Sequence, residues 1–175
     1  GRGIMKSGLL KTDARAALQD IALWLYKDVS LAGGVPEDKL RERVADYYLR
    51  RYDKISAARD AANELLSLWK GRSWILTDVG SEMANHQPLY KFTHQTFLEY
   101  FAAVEIARLC PSPKQLWKEL SPRLAVGTWE IVAQVAIQQL NSSYLDASDK
   151  VVQLLIHTAG RANWQKRSRL ISFAA

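Results

Sequence analysis

Apolar residues in the first 70 positions recur every three or four residues, which is the period of helices with one buried face. The pattern predicts a first helix over residues 13–31, a second that opens at Pro36, and a third over residues 56–70. The side chains expected in the core of these helices are Leu18, Ile21, Ala22, Leu25 and Val29, then Leu40, Val44, Tyr47 and Tyr48, then Ala58, Ala62, Leu65, Leu66 and Trp69.

The period changes to two in the next segment, which is typical of strands. Residues 73–77 and 89–93 each have the pattern of a short strand, and the turn-forming residues between them favour a hairpin. From Phe97 the helical period returns, and a fourth helix is predicted over residues 95–110, where Pro111 ends it.

The remainder of the chain carries only helical periodicity. Helices are predicted at about residues 114–121, 128–141 and 147–158. The last segment, 161–175, either forms one more helix or frays.

The order of these elements gives the predicted fold class, which is mainly α. Three helices, a two-stranded β-hairpin and a fourth helix form a winged-helix pattern over residues 10–110. A small helical array, the start of a superhelix or a bundle, is predicted over residues 111–175. Two strands alone are marginal in water, so helices should cover one face of the hairpin.

Composition limits the class of protein. With 175 residues, 48% of them hydrophobic, the chain can fold around a substantial core. Cys110 is the single cysteine, so no internal disulfide forms, which fits a reducing, cytoplasmic compartment. No apolar run is long enough for a transmembrane helix, and no membrane contact is expected.

Neither metal binding nor catalysis is indicated. The three histidines and Cys110 are scattered, without the paired spacing of metal ligands. The chain has no nucleophile elbow, no carboxylate pair suited to acid–base chemistry, and no G-x-x-x-x-G-K-[ST] phosphate loop. We therefore expect that this chain is not an enzyme and that it binds no cofactor alone.

The net charge of +6 arises from 24 basic and 18 acidic residues, and it is unevenly distributed. No acidic residue follows Asp149. The cations that follow it are Lys150, Arg161, Lys166, Arg167 and Arg169. Such a segment is either a solvated or partner-facing helix, or a contact for an acidic partner or for nucleic acid.

One histidine lies where the second predicted strand turns into the fourth helix. We call this junction between strand and helix the seam. Thr93 or His94 lies there, where the first N–H groups of a helix lack intrahelical partners. The Thr93 hydroxyl can cap them, and a polar side chain here lies where anions and phosphates bind. His94 is therefore the candidate functional residue. The alternative is a buried histidine held by hydrogen bonds.

The run FTHQTFLEYFAA at this seam resembles a motif near the end of the winged-helix domain of NACHT-type NTPases. These are signalling ATPases of the STAND class, which includes bacterial defence proteins and animal inflammasome sensors. The matching positions are Phe92, His94, Phe97, Glu99, Tyr100, Phe101, Ala102 and Ala103. The order of elements over residues 10–140 is also similar. Because the family's phosphate loop is absent, the resemblance implies a piece of a larger protein whose NTPase core is missing from this chain.

The resemblance also implies a role for His94. In NACHT proteins the motif histidine reaches the phosphates of ADP held by the neighbouring NTPase core and helps to lock the closed, inactive state. His94 would then sense the nucleotide state without being a catalyst. The supporting residues of the motif would be Phe92, Thr93, Phe97, Glu99 and Tyr100. The parent protein would bind ADP or ATP, contact this piece through its NTPase and sensor domains, oligomerise on activation, and act in defence signalling.

Most other side chains of the motif are interpreted as structural. Glu99 is expected to cap the helix or to pair with Arg108 or Lys91. The aromatic residues expected in the core are Phe97, Tyr100 and Phe101.

Two other functions stay open. A winged helix with net positive charge is the outline of a DNA-binding domain, and the second helix carries four arginines: Arg41, Arg43, Arg50 and Arg51. Against this, the third helix carries Asp60 and Glu64, and the predicted wing tip has no Arg or Lys. The further alternative is a generic helical protein-interaction module.

Overall fold

A computed structural model describes residues 3–52, 54–71, 75–81 and 86–174. In these residues the chain is mainly helical, with one small antiparallel sheet. The elements in chain order are α1 (Gly3–Lys27), β1 (Val35–Pro36), α2 (Glu37–Leu49), α3 (Ile55–Gly71), β2 (Leu76–Ser81), β3 (Pro88–Phe92), α4 (Gln95–Leu109), α5 (Pro113–Leu124), α6 (Glu130–Asn141), α7 (Ala147–Arg161) and α8 (Trp164–Ala174). The mainly α class is confirmed.

The chain divides into two compact units, residues 1–102 and 103–175. The division falls within α4, whereas the sequence suggested a domain boundary at residue 110, just past the end of the same helix.

The helices of the first unit bury the predicted apolar faces. On α2 and α3 every side chain expected in the core is buried, as are four of the five expected on α1. The fifth, Val29, is 84% exposed, so that prediction is wrong. The reason lies at Asp28, whose side chain accepts bonds from the backbone N–H and the hydroxyl of Ser30, and so starts a short 3₁₀ turn. The first helix also begins at Gly3, earlier than predicted.

The two predicted strands pair as an antiparallel hairpin, but the sheet of the first unit has a third described strand that the sequence did not predict. Strands β2 and β3 pair antiparallel, with Leu76 opposite Phe92, and β1 pairs with the other edge of β3 through Val35 opposite Tyr90. Pro36 was expected only to open α2, yet it is also the last residue of β1. Proline lacks an N–H group, which restricts it to sheet edges, and β1 is an edge strand. Residues 72–74 and 82–85, which include part of the first predicted strand and the wing tip, lie outside the described residues.

A glycine allows the chain to enter β1. Gly34 has φ +130°, a conformation that L side chains rarely adopt. A Cβ at this position would also lie 3.1 Å from both the Leu89 Cβ and the Val79 Cγ2. The close approach of the turn to strands β2 and β3 therefore depends on this residue.

The second unit contains the end of α4 and helices α5 to α8. Ser112 caps α5 by accepting a bond from the Gln115 N–H, and Pro113 occupies the first turn of that helix. The helices bury an aliphatic core: Leu116, Leu120, Leu124, Val132, Leu140, Val151, Leu155 and Leu170. Inside it the Trp117 Nε1–H donates to the Thr158 hydroxyl at 2.9 Å. The predicted helices beyond residue 111 are confirmed, and 164–174 form a helix too.

Candidate functional site

The seam between β3 and α4 is held by backbone hydrogen bonds on both sides. The Thr93 N–H donates to the Ile75 carbonyl at 3.0 Å, which ties the end of β3 to the residue before β2. The N–H groups of Phe97 and Leu98 donate to the His94 carbonyl, at 3.1 and 3.4 Å. His94 is therefore the residue that immediately precedes α4, and its backbone position is fixed from both directions.

The imidazole of His94 faces solvent. The side chain is exposed, and its main ring contact is an edge-to-face approach to Phe97, with centroids 5.4 Å apart. Because the ring lies at the surface, the alternative of a buried histidine is wrong. An exposed imidazole can donate a hydrogen bond to an acceptor on another molecule or domain.

The aromatic residues of the motif divide into buried and exposed. Phe92 is 4% exposed, and its ring lies 6.3 Å from that of the half-buried Phe101. Tyr100 is 37% exposed, so its assignment to the core is wrong. The most deeply buried residues of this part of α4 are instead Ala102 and Ala103. The alanines, and not the tyrosine, therefore lie on the inward side of the helix.

Glu99 is buried, one turn inside α4. Its Oε1 accepts a hydrogen bond from the Gln95 Nε2 at 3.2 Å, a contact along the same helix. The pKa of Tyr26 is raised by burial and, to a smaller extent, by the negative charge of Glu99. Glu99 therefore lies near α1 as well as in α4, which agrees with a structural role within the first unit.

A cleft of about 190 Å³ opens beside the seam. The segment after α1, strand β3 and the first turn of α4 form its walls, including Leu25, Tyr26, Tyr90, Lys91, Gln95 and Leu98. Sequence reasoning missed this cleft because its walls come from segments that are far apart in the chain.

The four arginines that favoured DNA binding contact acidic or aromatic side chains of the first unit. Arg43 and Arg50 both pair with Asp20 of α1, with N–O distances of 2.7 and 2.9 Å. Arg41 pairs with Glu37 of the same helix, and the Arg51 guanidinium lies 4.2 Å from the Tyr47 ring centroid. The positive charge of α2 is therefore mostly compensated by acids or covered against an aromatic ring.

The third helix presents charge of both signs to solvent. Arg59, Asp60 and Glu64 are exposed. Lys70, at the end of the helix, pairs with Glu37. Burial lowers the pKa of Lys70, but hydrogen bonds and charge interactions with Glu37 and Tyr90 outweigh this and leave the pKa raised. This surface offers no uniform positive face to phosphates.

The pairing of Asp20 leads to a prediction about stability. Replacing Asp20 with Asn removes the negative charge that pairs with both Arg43 and Arg50. We expect the free energy of unfolding to fall by about 1–3 kcal/mol. Urea denaturation checks this, with Asp46→Asn, an exposed position on α2, as the matched control. If the two substitutions lower the free energy of unfolding equally, the ion pairs of Asp20 with Arg43 and Arg50 do not stabilise the fold.

The cations predicted as a basic contact surface lie in the second unit. Arg161, Lys166 and Arg167 are exposed, and none of them pairs with an acid among the described residues. Arg169 is also exposed, but its Nη1 donates to the Ala125 carbonyl at 3.3 Å, and a Cβ at Gly127 would lie 3.6 Å from its Nε. It therefore serves in part to hold α8 against the end of α5.

No group of three or more His, Cys, Asp or Glu residues in the described parts of the chain could hold a metal ion. Over the same parts, no helix is both long and apolar enough to span a bilayer. Comparison of the chain with protein-family models, with curated proteins and with solved structures finds no significant match.

Proposed function

We propose that this chain is a regulatory module of a NACHT-type STAND NTPase. It packs on the nucleotide-loaded NTPase core, holds the ADP-bound inactive state, and releases on activation. The observation that carries this proposal is the placement of His94 inside the matching motif. Phe92, Ala102 and Ala103 of the motif are buried, while the histidine itself is exposed immediately before a helix.

The order of elements supports the same proposal. Three helices precede the β2–β3 hairpin, and α4 follows it directly, as the resemblance implies for a winged-helix domain. The anchoring residues have a clear physical purpose in this arrangement. Phe92 packs with Phe101 across the turn from strand to helix, so the direction of α4 and the position of His94 are set by the core.

The imidazole of His94 is chemically suited to sensing the phosphates of a nucleotide. An imidazole N–H can donate to a diphosphate oxygen, and the positive end of the α4 dipole adds a favourable field for negative charge. A hydrogen bond to a charged group contributes about 1.5–3 kcal/mol. If His94 makes this bond only in the closed state, it favours that state roughly 10- to 100-fold. Such a contact biases a conformational equilibrium, but it does not by itself form a nucleotide site.

The experiment requires the longer protein that contains this chain together with its NTPase core. Replacing His94 with Ala should leave ADP bound but accelerate its release by roughly 10-fold, and should raise oligomerisation without the trigger. The matched control is His157→Ala, which removes an exposed histidine from α7. Unchanged ADP release, or a parent protein without a phosphate loop, would contradict the proposal.

A companion measurement uses the chain alone. Titration with ADP should show no saturable binding up to about millimolar concentration, because one histidine supplies too little binding energy. Micromolar binding by the isolated chain would contradict the sensor role, since the chain would then contain a complete nucleotide site.

DNA binding is the weaker alternative. The exposed acids of α3 and the ion pairs of α2 are unfavourable for a helix lying in a groove lined by phosphates. A gel-shift at physiological salt distinguishes the two functions, because DNA binding would give a complex whose affinity falls steeply with salt.

A further inference from the structure

The last helix has a solvent-facing side that combines aromatic, basic and aliphatic groups. We name this side the α8 face and define it as Trp164, Arg167, Ser168 and Ile171, which follow the i, i+3, i+4, i+7 spacing. Trp164 is 77% exposed and Ile171 is 50% exposed. Leu170 is the one buried residue of α8 among those described, and it lies outside the α8 face.

The α8 face belongs to a segment that carries basic but no acidic residues. No acid follows Asp149 in the sequence. Arg161 at the end of α7, Lys166 in the first turn of α8 and Arg167 on the face are all exposed. These three cations form no ion pair with a described acid. Cations without counter-charges close to exposed apolar groups indicate a surface whose partner supplies both acids and apolar side chains.

We propose that the α8 face binds an acidic, amphipathic helix of a partner protein. The argument for a helix is geometric, since the apolar groups Trp164 and Ile171 form a straight stripe about two turns long. A partner helix with apolar residues at the same spacing can lie along such a stripe. Its flanking Asp or Glu residues would then meet Arg167 on the face and Arg161, three residues before Trp164.

The composition of the face favours a protein partner over single-stranded nucleic acid. Bases stack on aromatic rings, and Trp164 is the one aromatic residue of α8 that is fully exposed. Ile171 is aliphatic and offers no stacking surface, but it is well suited to a leucine or valine of a protein. Trp and Arg together are also the residue types that contribute most to protein–protein affinity.

The test uses the 175-residue chain and designed peptides of about 18 residues, long enough for several helical turns. The probe carries leucines at helical spacing with glutamates beside them, and a fluorescent label for anisotropy. One control peptide has the same composition in scrambled order, and another has Gln in place of Glu. We expect a Kd of roughly 10–100 µM for the probe and at least about tenfold weaker binding for both controls. Affinity for the probe should also fall as salt is raised.

Variants locate the site. Trp164→Ala and Arg167→Glu should each weaken binding of the probe about tenfold. Lys118→Glu, which reverses an exposed charge on α5, serves as the matched control and should change binding by less than about twofold. Because all three positions are exposed, circular dichroism and the urea midpoint should stay unchanged in every variant.

Three results would overturn the proposal. The first is binding of the scrambled peptide as tightly as the probe. The second is tighter binding of a single-stranded oligonucleotide than of the probe. The third is an unchanged affinity in both the Trp164 and the Arg167 variants. None of these measurements involves nucleotide or His94, so their outcome is independent of the proposed regulatory function.

Discussion

Replacing Phe92 with Ala lowers the free energy of unfolding of the first unit by about 3–5 kcal/mol, because it leaves a cavity where a large buried ring was. Phe92 is 4% exposed, lies opposite Leu76 in the sheet, and packs near the Phe101 ring of α4, with centroids 6.3 Å apart. Its loss therefore affects both the sheet and the helix that carries His94. Urea denaturation and hydrogen exchange of the β3 and α4 amides measure the change.

The same measurement on two neighbours provides the control. We expect His94→Ala to change the free energy of unfolding by less than about 0.5 kcal/mol, because the side chain is exposed. Tyr100→Ala should also have a much smaller effect than Phe92→Ala, because the tyrosine is largely at the surface. A large loss of stability in His94→Ala would show that the histidine is a structural residue and would remove the main support for a sensor.

Residues in long helices were the most predictable from sequence. The period of 3.6 residues in α2 and α3 places Leu40, Val44, Leu65 and Trp69 on one side, and all four are buried. In these helices the side that the local pattern marks as apolar is also the side that packs into the core. The buried positions can therefore be predicted from the local sequence alone.

Features that depend on distant partners were not predictable. Strand β1 is two residues long and exists because Val35 pairs with Tyr90. The buried Asp20 sits on an otherwise apolar helix side because Arg43 and Arg50, 23 and 30 residues further on, bring their charges to it. Local periodicity contains no signal for either arrangement.

The candidate site likewise has features that the sequence predicted and features that it did not. The sequence motif identified His94 and its position before a helix, and the exposure of the ring agrees with a contact role. It placed Tyr100 in the core as a large aromatic residue, whereas Tyr100 is 37% exposed and Ala102 is buried. The cleft beside the seam depends on the ends of α1, β3 and α4 meeting in space, which the motif does not encode.

In the second unit, Trp117→Ala should lower the free energy of unfolding by about 3–5 kcal/mol. The indole is buried between α5 and α7, and its Nε1–H donates to the Thr158 hydroxyl at 2.9 Å. That hydroxyl in turn donates to the Leu154 carbonyl at 2.7 Å, so its hydrogen-bonding capacity is used in both directions. Trp164→Ala, at an exposed position on α8, is the matched control and should cost less than about 0.5 kcal/mol.

The hydrogen bond can be separated from the packing by a double-mutant cycle. Trp117→Phe keeps most of the buried ring and removes the donor, which should cost about 0.5–1.5 kcal/mol beyond the lost volume. Thr158→Val leaves the indole N–H buried without its acceptor, and about 1–3 kcal/mol is expected. Because the two groups contact each other, the double variant should lose less stability than the sum of the single variants. Additive losses would mean that the bond between Trp117 and Thr158 does not couple α5 to α7, and that the tryptophan acts through its volume alone.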